Sequence, residues 1–443
     1  MRHVILGTGT VGVVAIALFG WSTVSAGAEP VTLGQVYAMA VQHSENLQIS
    51  QEGVLQAEQE ERRALSTVLP KLTLSGDYTL TPEERGISNS SLLLQPHSSY
   101  GWQARVEQPL YSGGKNLAGK RIAQRQVEVA GKDVRLSREA LLLRVADVFY
   151  AVLRAQKNVE IQTRNVERLK EHRRLAELRY KVGEVTESIL LRAAAELASA
   201  NADLVSRERD VAVAKRELVL LTGLPGDLEI AEPAVPDVPE ESLAQWLEAA
   251  QTNRDEVQRS RLDERIAEER VSFARGNFMP NLALEGTYYR RKQDPTPDFF
   301  IDDSWMVAAT IDFPLFEGGL RKAELRQAKS RLEQSRLQST RLNKDIDLEV
   351  TRAGLGLEAV SRALESRQDQ LRFSKKNYEM VSKQFTFGLA TNLDVLDANQ
   401  TLIEAERDVT AATYDRHLAI LEVQRSVGRF LAEAEEAMPK ESM

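Results

Sequence analysis

The sequence QPLYSGG at residues 108–114 recurs as FPLFEGG at residues 313–319. Each copy follows a run in which apolar and polar residues alternate, and each precedes a long polar run of helix-forming residues. Proline cannot donate to a β-ladder or sit inside a helix, and paired glycines let the backbone change direction. We therefore predict two strand-to-helix junctions, at Pro109, Gly113 and Gly114 and at Pro314, Gly318 and Gly319.

A tandem duplication explains why the junction occurs twice. A step of 205 residues takes Pro109 to Pro314, and upstream of the junction a step of 210 residues takes Pro70 to Pro280. A register held over such a length indicates two copies of one unit. We place repeat 1 at 29–222, a Pro-rich linker at 223–240, repeat 2 at 241–432 and a disordered tail at 433–443.

Each repeat is predicted to combine two strands with long helices. Alternating runs predict strands at about 71–80 and 100–110 and, in repeat 2, at about 281–291 and 303–313. Proline-free stretches of helix-forming residues predict long helices at about 113–182, 187–221, 318–386 and 392–432. Shorter helical stretches precede the strands. The first long helix would extend on the order of 100 Å at about 1.5 Å per residue, which suits a coiled coil or a helical-barrel wall.

Two interpretations of the strands are open. Alternation with aromatic residues near the strand ends is typical of membrane barrels, but it also suits a half-buried hairpin of a soluble protein. Four strands per chain cannot close a barrel, so a membrane barrel must be shared between copies. Three copies would give twelve strands, and two copies would give eight. The aromatic residues would lie at membrane interfaces or in a core: Tyr78, Tyr100, Trp102, Tyr288 and Trp305.

The N-terminus is typical of a secretory signal peptide at residues 1–28. Arg2 supplies a basic start, residues 11–19 are apolar, and small residues permit cleavage after Ala26 or Ala28; a short membrane anchor is the alternative. The absence of Cys excludes a disulfide framework and a lipidated N-terminal Cys. A net charge of −8 argues against nucleic acid as a partner. The histidines are scattered, and we predict no metal site and no cofactor.

The doubled Pro-Leu-aromatic-x-Gly-Gly junction and the sequence FGLATNLDVLDA at 387–398 resemble the TolC-type outer-membrane efflux proteins. The resemblance covers the whole mature chain. It implies a mainly α fold with a β part: a homotrimeric, twelve-stranded outer-membrane β-barrel, embedded in lipid and continued by a long periplasmic α-helical barrel. It also implies a Gram-negative-type bacterium and a passive exit duct of a tripartite efflux or type I secretion system. The implied partners are a periplasmic adaptor protein and, indirectly, an inner-membrane pump.

Two carboxylates begin the last long helix. Asp394 and Asp397 lie one turn apart, so in a trimer they would form two stacked acidic rings that favour cations. The resemblance implies that this pair lines the periplasmic aperture. The alternative is that Thr391 and Asp394 form a helix capping box.

The counterparts of family gate residues differ in this chain. The resemblance implies that Phe385 and Ala390 replace a gate tyrosine and arginine, and repeat 1 has Ile189 and Arg192 in place of Asp394 and Asp397. We expect the gate to be held differently, by apolar contact.

The two helix-to-helix turns are the expected docking site of the adaptor, although a plain hairpin would also need its glycine. Their residues are Val182, Gly183, Phe387, Gly388 and Leu389. The alternative to a duct is a periplasmic coiled-coil adaptor or scaffold without a channel. An enzyme is the third possibility, but no nucleophile triad or phosphate-binding loop is present in the sequence, so we predict no catalysis.

Overall fold

The computed structural model describes residues 30–82, 85–86, 93–224, 229–236, 238, 241–296 and 300–439. The predicted signal peptide and positions 225–228, 237 and 239–240 of the predicted linker lie outside the described residues. None of the helices in the described ranges combines the length and the apolar composition needed to cross a membrane.

The elements follow the same order twice. In the first half, α1 (Leu33–His43) and α2 (Glu45–Ser66) precede β1 (Lys71–Leu80), the short β2 (Arg85–Gly86) and β3 (Leu93–Gln95), β4 (Ser98–Ser112), α3 (Lys115–Lys181) and α4 (Glu187–Thr222). In the second half, α5 (Leu243–Asn253) and α6 (Asp255–Gly276) precede β5 (Asn281–Asp294), β6 (Asp303–Asp312), α7 (Leu320–Thr386), α8 (Asn392–Ser426) and α9 (Phe430–Glu436).

The two halves share the capping of their first helices and the length of their longest helices. Thr32 caps α1 in a capping box with Gln35, and Ser242 caps α5 in a capping box with Gln245. Each box satisfies amide N–H groups that the first helical turn leaves without partners. The longest helices, α3 and α7, both have 67 residues. Each begins after a glycine with positive φ, Gly114 or Gly319.

The four long strands form one antiparallel sheet in the order β1-β4-β5-β6. Within the repeats the register is the same, since Leu72 lies opposite Val106 and Leu282 lies opposite Ile311. The β4–β5 pair joins the two repeats. The outer edges of β1 and β6 have no neighbour within the described part of the chain.

The sheet has one apolar face and one charged face. Side chains directly opposite each other in neighbouring strands share a face, so the pairs Tyr78–Tyr100 and Tyr288–Trp305 lie on the same side as Trp102. On the other face Arg105 Nε lies 3.1 Å from a carboxylate oxygen of Glu285.

The position of Pro109 corrects the predicted end of the second strand. Strand β4 continues through Pro109 to Ser112, and its register with β5 shifts between Pro109 and Tyr111. A proline has no N–H for the ladder, and a bulge is where a strand tolerates that loss. In the second copy β6 ends at Asp312, before Pro314.

The predicted disordered tail is wrong up to Pro439. Helix α8 ends at Ser426, Gly428 has a φ of 77°, and α9 follows. Met438 is buried, and Gly34 approaches this segment so closely that a Cβ there would lie 2.0 Å from the carbonyl oxygen of Ala437. Apolar burial against α1 and α3 orders the segment, which sequence composition alone does not show. Residues 440–443 of the predicted tail lie outside the described residues.

The largest hydrophobic core lies near the middle of α3. Phe149 and Tyr150 are fully buried there, together with residues of α1, α8 and α9. Val31 forms a β-bridge with Ile230 beside this core, so part of the predicted linker is anchored to the N-terminus. The core holds α3 at its middle and α4 and α8 in their C-terminal halves, so the α3–α4 and α7–α8 turns lie far from it along the helices.

Candidate functional site

The two hairpin turns have the same backbone geometry. Gly183 and Gly388 have φ angles of 80° and 74°, a left-handed conformation that favours glycine. The N–H of Glu184 donates to the carbonyl of Arg179 at 2.9 Å, and the N–H of Leu389 donates to Gln384 at 2.8 Å. These bonds satisfy carbonyl groups in the last turns of α3 and α7, which have no partner inside the helix. Both turns are therefore rigid helix ends with a defined shape.

The turns expose apolar side chains. Val182, Phe387 and Leu389 are all exposed, with 78% of Leu389 accessible. Such residues would be buried if the turns were packed against the chain's own core. Together with the two turn glycines, these side chains form the hairpin-tip surface.

Asp394 serves as a helix cap. One of its carboxylate oxygens accepts hydrogen bonds from the hydroxyl and the N–H of Thr391, both at 2.7 Å. These bonds favour the charged form and lower the pKa of Asp394. Asp397 lies one turn further along α8, and both carboxylates are exposed. The capping box and the exposed acidic pair thus coexist.

Phe385 occupies a buried position between the two hairpins. It is 3% exposed, and its ring centroid lies 5.0 Å from that of His172. The guanidinium of Arg179 lies 5.0 Å from the same ring and donates to the carbonyl of Phe385 at 3.0 Å. Nε2 of His172 lies 2.6 Å from Oδ1 of Asn392 in a buried hydrogen bond, and burial lowers the pKa of His172. These contacts tie α3 to the start of α8 and the end of α7.

A polar seam continues from this cluster along α3 and α8. Nε of Arg168 donates to Oδ1 of Asn399 at 2.8 Å, and Asn399 donates to Oδ1 of Asn165 at 2.8 Å. Arg168 also lies 3.4 Å from Glu406. Buried polar side chains that satisfy one another fix the relative register of two helices.

Sequence reasoning missed the seam, although a signal for it exists. Asn165, His172 and Arg179 are spaced by seven residues, so they lie on one stripe of α3. A stripe of polar residues at coiled-coil spacing is also compatible with a solvent-facing surface. Only the packing of α8 shows that Asn165 and His172 are buried.

The remaining gate counterparts lie apart from the buried cluster. Ala390 is partly buried in the second turn, Ile189 is partly buried on α4, and Arg192 is exposed on α4. Among the described contacts, none joins Ile189 or Arg192 to the carboxylates of Asp394 and Asp397.

The described part of the chain cannot enclose a channel by itself. Its sheet has two free edges, and its helices are far longer than the diameter of a small domain. Four strands cannot close around a lumen. The fold therefore suits a channel subunit, whose four strands would close a barrel only together with the strands of other copies.

Comparisons with known proteins agree with this class. The outer membrane efflux protein family matches residues 36–224 and 246–429. The chain is 23% identical to outer membrane protein TolC of Vibrio cholerae serotype O1 over 374 residues, which cover 82% of this chain and 83% of that protein. It is 24% identical to the alkaline protease secretion protein AprF of Pseudomonas aeruginosa over 335 residues, covering 72% of this chain and 67% of AprF. The outer membrane protein VceC of Vibrio cholerae shares the fold, with a TM-score of 0.77 at 20% identity over 89% of this chain and 96% of VceC.

The chain therefore belongs to the outer membrane efflux protein family. It is an outer-membrane channel protein with a four-stranded sheet and long helices in each chain, as predicted. The alternative of a periplasmic adaptor without a channel is wrong, because the match to the channel family includes both repeats.

Proposed function

We propose that three copies of this chain form a passive exit duct that carries substrates from an inner-membrane pump and a periplasmic adaptor to the exterior. The observation that carries the proposal is a four-stranded sheet with two free edges, continued by helices of 67 residues. Two copies would supply eight strands, and the interior of an eight-stranded barrel is narrow enough for side chains to fill it. Three copies supply twelve strands and leave room for a water-filled bore.

The charge distribution of the sheet supports this assembly. Its apolar face carries Tyr78, Trp102 and Trp305, which suit contact with outer-membrane lipid and its interfaces. Its opposite face carries the Arg105–Glu285 pair, which suits a water-filled interior. The duct performs no catalysis of its own, and its energy comes from the pump.

The aperture of the duct lies at the start of α8. In a trimer Asp394 and Asp397 would form two rings of carboxylates, which attract cations and repel anions. The buried contacts of Phe385 with His172 and Arg179 hold the two hairpins together near this point. They are the latch of the closed aperture, made of a cation–π contact and hydrogen bonds as well as apolar contact.

Planar bilayer recordings test the duct and the rings together. The purified protein should give single-channel conductance with cation selectivity, and Asp394→Asn with Asp397→Asn should reduce that selectivity and the block by multivalent cations. Asparagine is preferable to alanine because Asp394 caps α8. Glu404→Gln with Asp408→Asn removes the same charge from α8 further from the turn and should change selectivity less. Selectivity that is equal in both double variants would disprove the rings, and absence of conductance in the unsubstituted protein would disprove the duct.

The hairpin-tip surface is the docking site of the adaptor. Its exposed Val182, Phe387 and Leu389 offer apolar contacts on two rigid turns, which is the composition of a protein-binding surface. Gly388→Asp places a charge in this surface and a side chain at a φ of 74°. We expect loss of adaptor crosslinking and of efflux, with oligomer assembly retained. Crosslinking equal to that of the unsubstituted protein would contradict docking at this surface.

A further inference from the structure

The interface between the two repeats indicates how one copy meets the next. Strand β4 of repeat 1 pairs with β5 of repeat 2, whereas the outer edges of the equivalent strands β6 and β1 have no neighbour within the described residues. A step of 205 residues relates β4 to β6, and a step of 210 residues relates β1 to β5. The interface inside the chain is therefore a template for the interface between copies.

The two steps give reliable residue equivalences, because they convert the observed pairs of one repeat into those of the other. Gly76 lies opposite Trp102 in repeat 1, and the two steps convert this pair into Gly286 opposite Val307, which the structure contains. The same holds for Lys71 opposite Glu107, which becomes Asn281 opposite Asp312. The register thus transfers from one repeat to the other without a shift.

Exposure marks the surfaces that a neighbour would cover. Leu72 of β1 is 71% exposed, whereas its equivalent Leu282 of β5 is only partly exposed. Phe316 of the second junction is 87% exposed, and its equivalent Tyr111 in the first junction is 48% exposed. Each of the less exposed residues lies at the interface between repeats, where Tyr111 is opposite Leu282.

We infer that the second junction, residues 313–319, docks against β1 of a second copy in the register that the first junction has with β5. Phe316 then lies opposite Leu72 of the neighbouring copy, and Ala309 lies opposite Tyr78 of that copy. This inference rests on the proposed function, because it requires copies that share one barrel. It adds the residue-by-residue register and the chemistry of the contact.

The register places complementary groups together. Glu317 lies opposite Lys71 of the neighbouring copy, so opposite charges meet where the template has the uncharged Ser112 and Asn281. Leu74 of the neighbouring copy lies opposite Phe313, which joins two exposed apolar side chains. A register shifted by one residue would put the apolar and charged faces of the two sheets out of phase.

The helices beside the interface between repeats also differ from their equivalents at the outer surfaces of the chain. Inside the chain, Lys132 of α3 bonds to Asp255 of α6, and Arg259 of α6 bonds to Asp133. The equivalent of Lys132 is Leu337, 62% exposed, and the equivalent of Arg259 is Ile49, 68% exposed. The equivalents of their partners Asp255 and Asp133 are Glu45 and Gln338, so the register between copies reproduces neither ion pair and sets one apolar side chain opposite one polar side chain at each place.

Disulfide crosslinking in the full-length protein tests the register, because the chain has no native Cys. Opposed residues in antiparallel strands have Cα atoms about 4.5–5.5 Å apart, within the range that disulfides accept. The test pair is Ala309→Cys with Tyr78→Cys. The shifted pairs combine Ala309→Cys with Gly76→Cys or with Leu80→Cys, and the reference within the chain is Ala104→Cys with Tyr288→Cys.

Under oxidation the test pair should give covalent dimers and trimers on denaturing gels, with several-fold more product than either shifted pair. The reference pair should remain at monomer mobility. A shifted pair that links more than the test pair would overturn the register. A reference pair that closes while no pair links copies would overturn the docking itself. Conductance of the same samples separates the two proposals, since open channels linked in another register contradict only the register, and linked copies without conductance contradict only the duct.

Discussion

The longest helices, α3 and α7, have the same length and equivalent positions in the two repeats, yet they bury very different surfaces. Helix α3 packs against α2, α4, α6 and α8, and its middle is the centre of the main core. Helix α7 lies at the edge of the helical layer, beside α6 and α8, and few of its side chains are buried. A duplicated sequence therefore gives one internal helix and one boundary helix, and the boundary helix keeps a surface for another copy.

A single packing site shows how the repeats diverged. In repeat 1 the fully buried Phe149 of α3 shares a core with Val36 of α1. The equivalent residues in repeat 2 are Gly354 of α7 and Trp246 of α5, and a Cβ on Gly354 would lie 2.9 Å from the Trp246 ring. The large side chain has moved from the long helix to the short one. Each site thus keeps one large aromatic side chain, although neither residue type is conserved.

The largest expected effect is at Phe149. Phe149→Ala leaves a cavity in the main core and should cost about 3–5 kcal/mol of unfolding free energy. Denaturant unfolding of the detergent-solubilised protein, followed by circular dichroism, measures it. A loss below about 1 kcal/mol would mean that the site collapses freely, so that repeat 1 does not depend on this side chain.

Substitutions at Gly354 and Trp246 test whether the two packing sites are equivalent. Gly354→Phe alone should clash with Trp246, whereas Gly354→Phe with Trp246→Val rebuilds the packing of repeat 1 and should recover part of the loss. A double variant no more stable than Gly354→Phe would show that the two sites are not equivalent.

Substitution of the junction glycines should have smaller effects on stability, and these effects should differ between the two repeats. A Cβ on Gly113 would lie 2.4 Å from the carbonyl oxygen of Gly276, whereas a Cβ on Gly318 meets nothing within 4 Å among the described residues. Gly113→Ala should cost the folded subunit about 2–3 kcal/mol, and Gly318→Ala about 1 kcal/mol from left-handed strain alone. Gly318→Ala should instead reduce the oligomer fraction in size-exclusion chromatography. Equal losses of subunit stability would contradict the difference in packing.

The smallest expected effect concerns Glu139, whose equivalent in repeat 2 is the exposed Lys344. Burial, reinforced by Glu256, raises the pKa of Glu139 to about 7. Because this pKa is above the usual value for a glutamate, the folded state binds the proton more tightly, and stability falls as pH rises from about 4.5 to about 7. Glu139→Gln should therefore stabilise the protein at pH 8 by on the order of 1–2 kcal/mol and change it little at pH 4. Thermal unfolding at both pH values measures this, and an equal change at both would contradict the shifted pKa.

The sequence predicted features that depend on neighbouring residues along the chain. Alternation located all four long strands, and the turn glycines Gly183 and Gly388 located both hairpins. It did not predict that β4 continues through Pro109, because a bulge there depends on the partner strand β5. It did not predict the ordered α9, because the reason for that order is an apolar surface on α1 and α3.

The candidate site divides in the same way. The capping box of Asp394 was predictable from its spacing of three residues from Thr391, because the first turn of a helix has N–H groups that need acceptors at that spacing. The bond between His172 and Asn392 joins residues 220 positions apart. No local pattern marks such a pair before the helices pack.

The sequence by itself determined the duplication, the lengths of the helices, the alternating strands and the glycine turns, because each follows from short-range backbone preferences and from periodicity. Only the tertiary structure decided that β4 and β5 join the repeats, that Phe385 is buried between His172 and Arg179, and that β1 and β6 each have an outer edge with no neighbour in the described part of the chain. The physical reason is that burial and pairing are properties of surfaces brought together from distant parts of the chain. Two repeats with the same order of elements can therefore differ most where one of them still needs a neighbour.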